Sequence, residues 1–207
     1  MSSSALPLAS SATSDGRRVE RPAFRECRDK IPSTMVLTKE ELIATLQNEV
    51  RILVHLAGKV DRSKLDYRPS ANQRSTLELL QYLTIMGPNL IRYIKAGVFD
   101  TEAWGKVEAA AKALSFDQAI AALGHQHALY PELLNAFSDG DFRAKIDMFG
   151  RNDSKGSLIV NLVTSGHAAY RTQLFIYLKA CGRDELNTMN LWAGMDGPMG
   201  QAASRAT

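Results

Sequence analysis

The chain has 207 residues, 45% of them apolar and 23% charged, with a formal charge of +3; this is the balance of a folded domain with room for one core or two small ones. Six Lys/Arg and four acids stand in residues 1–34, which leaves the rest close to neutral and excludes the clustered basic face of a dedicated nucleic-acid binder. Only Cys27 and Cys181 are present, which excludes a disulfide scaffold and a four-cysteine zinc site.

Residues 1–34 are rich in Ser, Ala, Arg and Pro, with no hydrophobic period of 2 or 3.6. They read either as a disordered segment or as sequence ahead of a true start at Met35. No apolar core of a secretory signal is present, and Asp15, Glu20, Glu26 and Asp29 argue against an organellar presequence. No apolar run approaches the roughly 18 residues of a membrane span, so a cytoplasmic protein without membrane contact is expected.

From Thr38 the punctuation is helical. Thr38 with Glu41, Ser75 with Glu78 and Ser115 with Gln118 each fit a capping box, in which a hydroxyl accepts an orphan N–H and the third side chain reaches back. The first amphipathic run, about 39–61, repeats Ile43, Leu46, Val50, Leu53, Ala57 and Val60 at spacings of three and four. The second, about 76–96, places Leu79, Leu83, Met86, Leu90 and Ile94 on one stripe and contains Gly87–Pro88, which predicts a kink. A short Ala-rich helix is expected over 101–113. A third long helix, about 116–137, uses Ile120, Leu123, Leu133, Leu134 and Phe137, and a fourth, about 155–181, ends at Gly182, a common residue just past a helix end. No strand alternation is visible. The expected fold is all-α: a four-helix bundle over 35–182 with one extra short helix and a C-terminal extension over 183–207.

Two stretches carry a family resemblance. Leu65–Asp–Tyr–Arg–Pro69, followed by Gln73–Arg–Ser–Thr–Leu–Glu–Leu–Leu–Gln–Tyr–Leu83, resembles the first loop and second helix of the DinB-like superfamily. His167–Ala–Ala–Tyr–Arg–Thr–Gln–Leu174, followed by Tyr177–Leu–Lys–Ala–Cys–Gly182, resembles its last core helix. The resemblance implies a four-helix bundle, often a homodimer, in a family that includes metal-dependent thiol transferases and isomerases. It also implies a three-histidine site for one divalent metal. One histidine stands on the second helix, and two stand four apart on the last, where both imidazoles share a helix face.

This chain departs from that site. Aligning Arg171 and Gln173 with the motif puts Tyr170 and Gly166 at the two last-helix positions, and Gln81 at the position on the second helix. Glycine has no donor, neutral tyrosine is a poor ligand and glutamine binds mainly hard ions. His167 lies roughly 100° around the helix from Gly166 and reaches the cavity only if the helix is wound differently there. The expectation is a bundle without metal or other cofactor. Gln81, Gly166, His167 and Tyr170 are its ligand-cavity candidates, and Gln81 is expected to hydrogen-bond Tyr170 where the metal would sit. The chain then reads as a small-molecule-binding or interaction protein. The alternative is a thiol-dependent transferase or isomerase, either with nickel or zinc in a rearranged site or metal-free, using Tyr170 and His167 as catalytic residues.

Other candidates are weaker. His125 and His127 are two apart and point to different helix faces. His55 reads as a core or interface histidine. Cys181 sits at a helix end whose dipole disfavours thiolate. The glycines of 150–156 lack the strand and helix of a phosphate cradle. The apolar run Asn187–Thr–Met–Asn–Leu–Trp–Ala–Gly–Met–Asp196 is expected to dock on the bundle surface; reaching over a dimer partner or closing the cavity mouth are the alternatives.

Overall fold

The computed structural model describes residues 36–197, so the readings of residues 1–34 and of Met35 as a start lie outside the described residues. The order is α1 (Lys39–Ala57), α2 (Thr76–Ala96), α3 (Thr101–Lys112), α4 (Phe116–Asn135), α5 (Asp139–Arg143), β1 (Lys145–Met148), β2 (Arg151–Ser154), α6 (Lys155–Leu158) and α7 (Ser165–Ala180). A π-helical segment, Ile159–Thr164, joins α6 to α7. The fold is therefore all-α, with four long helical runs: α1, α2, α4 and the composite α6–α7.

The three capping boxes form as the sequence predicts: Thr38, Ser75 and Ser115 each accept from the backbone of the third helical residue, and Glu41, Glu78 and Gln118 answer. A fourth, Ser138 with Asp141, opens α5. Helix α4 packs on α1 and α2, α7 packs on the same two helices, and α3 lies against α2. Leu46, Leu53, Leu56, Leu79, Leu83, Ile91, Leu123, Leu134 and Leu174 are fully buried between them.

Two elements differ from the sequence reading. The hairpin β1–β2 pairs Lys145 with Ser154 and Met148 with Arg151. Its two-residue turn holds Phe149 (φ 53°) and Gly150 (φ 75°) in the left-handed region, the geometry of a type I′ turn. The expected fourth helix also carries its π segment, and Ser165, the residue after it, donates its hydroxyl to the Val160 carbonyl.

The described part of the C-terminal extension docks on α1. Arg51 donates to the carbonyls of Ala193 and Gly194, and Lys59 pairs with Asp196 at 2.6 Å. Asn190 is buried, donating to Asp196 and contacting His55 Nε2 at 3.2 Å. Gly194 is in the left-handed region at φ 55°, and a side chain there would meet the Ile52 backbone at 3.0 Å. The extension therefore lies on the bundle's own surface and lines neither of the cavities described below.

Candidate functional site

Helix α2 contains Pro88, which has no N–H to give the Thr84 carbonyl. The side chain of Gln126 on α4 supplies the missing donor: its Nε2 reaches the carbonyls of Leu83 and Thr84 at 2.8 and 2.9 Å. Gln126 Oε1 then accepts from the Tyr130 hydroxyl at 3.0 Å, and that oxygen lies 2.5 Å from His167 Nε2. The phenol has one proton and directs it at Gln126, so His167 carries its own on Nε2. Its Nδ1 is buried without a partner. Burial pushes the His167 pKa down to about 4, because a second proton would have no acceptor. Burial likewise holds the Tyr130 phenol well above its ordinary range.

His167 is thus a neutral core histidine, joined to α4 in the space left by Gly87. Its depressed pKa stabilises the fold above the unfolded-state value of about 6.5, and that contribution is lost as pH falls toward 4. The expected loss is up to about 3 kcal/mol. Urea titrations at pH 7 and pH 4 are expected to show a smaller drop in His167→Gln than in the parent chain. Equal drops would remove the assignment.

The other candidates stand on the opposite side of α2. Tyr170 meets Tyr82 edge to face, ring centres 5.3 Å apart. Gln81 does not bond Tyr170. Its Nε2 donates to the carbonyls of Lys112 and Leu114, where it satisfies the exposed end of α3. The residue beside it, Tyr82, makes the contact expected of Gln81. Gly166 faces Met86, whose Cε and Sδ lie 3.1 and 3.3 Å from where a Cβ would be.

These positions do not fit a divalent ion: they offer one amide oxygen, from Gln81, and a neutral phenol, Tyr170, set against a second phenol, while Gly166 has no donor and faces a thioether. No cluster of three or more His, Cys, Asp or Glu able to hold a metal occurs among the described residues. His125 and His127 are exposed on α4. Burial raises the Cys181 thiol pKa.

Tyr82 and Tyr170 line two adjoining cavities. A polar one of about 590 Å³ is bounded by the loop 68–74, α2, α3 and α7, and receives Arg68, Arg74, Glu78, Glu108, Lys112 and Gln173. Arg68 pairs with Glu78 at 3.3 Å, and Lys112 with Glu108 at 3.5 Å. Arg74 is different. Its guanidinium stacks 3.8 Å from the Tyr82 ring centre, and no carboxylate among the described residues pairs with it. The loop that presents it is anchored by buried Tyr177, whose hydroxyl donates to the Arg74 carbonyl at 3.0 Å. Burial, with the Tyr170 phenol beside it, pushes the Tyr82 pKa up to about 12.

The second cavity, about 560 Å³, is apolar, with Met86, Leu90, Phe99, Trp104, Phe149 and Leu162 among its walls. His167 lines neither cavity, so Tyr170 and His167 do not converge on one point. The metal-free catalytic pair of the alternative reading is not brought together at either cavity. Sequence reasoning missed Gln126, Tyr130, Arg74 and Tyr82. Only Gln126 had a signal: Pro88 inside a helical pattern implied that some neighbouring donor would be needed.

Among the described residues no helix is long and apolar enough to cross a membrane. No family model matches the chain, and no curated protein matches it. Among solved structures, it is similar to the DinB-like protein YjoA of Bacillus subtilis, with a TM-score of 0.55 and 18% identity over 70% of this chain and 94% of that one. At that identity the likeness is one of architecture: the chain has the DinB-like four-helix fold.

Proposed function

We propose that this chain is a metal-free binding protein for a small anion, a carboxylate or phosphate group, held in the polar cavity. One observation carries the reading: Arg74 is stacked on Tyr82, presented by an anchored loop and without a carboxylate partner among the described residues. A guanidinium fork held flat in this way suits bidentate oxyanion binding. Gln173 and Tyr170 add neutral polar groups on the facing helix, and the paired states of Arg68 and Lys112 keep the cavity from being a diffuse basic patch. The cytoplasmic location and homodimer expected from the sequence belong to the same proposal, the latter tested by light scattering of the purified chain.

Acetate and inorganic phosphate titrated against labelled protein are expected to shift amide signals around 68–74, and Arg74→Gln is expected to weaken binding about tenfold or more. Parent-like affinity in Arg74→Gln, or no response in the parent chain, would overturn the reading.

A further inference from the structure

The apolar cavity beside the anion site is built from aromatic rings in continuous contact. Tyr82 meets Trp104 at 6.2 Å, Trp104 meets Phe99 at 5.5 Å, and Phe99 meets Phe149 at 4.9 Å between ring centres. The rings are tilted or edge to face, the arrangement aromatic groups prefer.

The last member of this chain is held at a cost. Phe149 occupies the first central position of a type I′ turn at φ 53°, where Asn is the favoured residue and a bulky side chain costs on the order of 1–2 kcal/mol. The residue is nonetheless 54% exposed, so core burial does not account for it. What the strained backbone achieves is placement of the ring at the edge of the cavity, against Phe99. Opposite it stand Asn161 and Leu162 of the π segment, a local winding often found at functional sites. The same two phenols, Tyr82 and Tyr170, line both this cavity and the one that holds Arg74.

We infer that the natural ligand is an aryl-carboxylic acid, with its carboxylate on Arg74 and its aromatic body in the apolar cavity under Phe149. This rests on the anion reading above and adds the chemical class of the ligand. A bare inorganic anion would leave the aromatic wall unused, and a neutral hydrocarbon would leave Arg74 unpaired. An acid with an apolar ring offers each of the two adjoining cavities the group its lining suits.

The test compares acetate, phenylacetate, naphthylacetate and the neutral naphthylethanol by calorimetry on the full chain and on Phe149→Asn. Asparagine suits the turn's backbone, so this variant is expected to melt at or above the parent temperature while lacking the ring. In the parent chain, naphthylacetate is expected to bind about 30-fold or more tighter than acetate, with phenylacetate between. In Phe149→Asn that ratio is expected to fall to about fivefold or less. Equal affinity for acetate and naphthylacetate in the parent chain would overturn the inference and leave the anion reading standing on acetate. The same ratio in Phe149→Asn as in the parent would overturn the role of the ring. Binding of naphthylethanol as tight as that of naphthylacetate would overturn the anion reading while supporting the aromatic cavity.

Discussion

Replacing Gly87 by alanine is expected to destabilise the fold by about 3 kcal/mol or more. A methyl carbon at this position would overlap the Tyr130 hydroxyl and lie 2.8 Å from His167 Nε2. Neither group has anywhere to go. Tyr130 is fully buried and bonded to Gln126 as well as to His167. Displacing it would strip the acceptor from one and the donor from the other, and an unmet buried polar group costs about 1–3 kcal/mol. Urea unfolding monitored by circular dichroism gives the number directly; a loss below about 1 kcal/mol would sink the account. In a Tyr130→Phe background the clashing oxygen is gone, so the same glycine substitution is expected to cost less than it does in the parent. Additive losses would mean that the two sites are not in contact.

The second large effect concerns the pair Glu49 and Arg171, which joins α1 to α7 at 3.0 Å with side chains 10% and 5% exposed. Only one oxygen and one nitrogen meet. Glu49 Oε2 and Arg171 Nε are buried without partners, and burial raises the Glu49 pKa despite the neighbouring guanidinium. Trp192 covers the outside, its ring centre 5.3 Å from the Arg171 Cζ. Arg171→Met is expected to cost about 3–5 kcal/mol at pH 7, because it strands a buried carboxylate. The sign with pH follows from that carboxylate. A raised folded-state value means that stability is fully present below the unfolded value and is lost as pH rises through the folded one. The deficit of Arg171→Met is therefore expected to grow from pH 4 to pH 7. Glu49→Leu combined with Arg171→Met, which removes both charges, is expected to lie within about 1–2 kcal/mol of the parent or above it. A double variant as unstable as the single one would refute the charge account.

Much of the scaffold was legible in the residues. Thr38, Ser75 and Ser115 mark helix starts by local hydrogen-bond chemistry, which needs no tertiary information, and Thr76–Ala96 matches its predicted bounds. Gly182 lies in the left-handed region at φ 91°, as its place after the last helix implies. The hairpin was not legible. Lys–Ile–Asp–Met alternates over only four residues, its partner Arg–Asn–Asp–Ser has no apolar residue, and Phe–Gly lacks the usual turn signal. The site was legible in place but not in detail. Gly166 and Tyr170 do flank the cleft, yet His167 turns into the core, and Gln81 caps α3 while Tyr82 takes the expected contact. The hydrogen bonds that decide this span 31 to 43 positions, and no local spacing encodes them.

The C-terminal strap has a consequence for the order in which the molecule is made. Arg51 on α1 finds its carbonyl partners 142 and 143 positions later, and Lys59 meets Asp196 after 137. During synthesis the outer face of α1 therefore stands uncovered while all four long helical runs emerge, and it is closed only when the last of these residues has left the ribosome. Once residues up to Cys181 have emerged, all four helical runs are outside the ribosome, while Ile52 and His55 still wait for their cover.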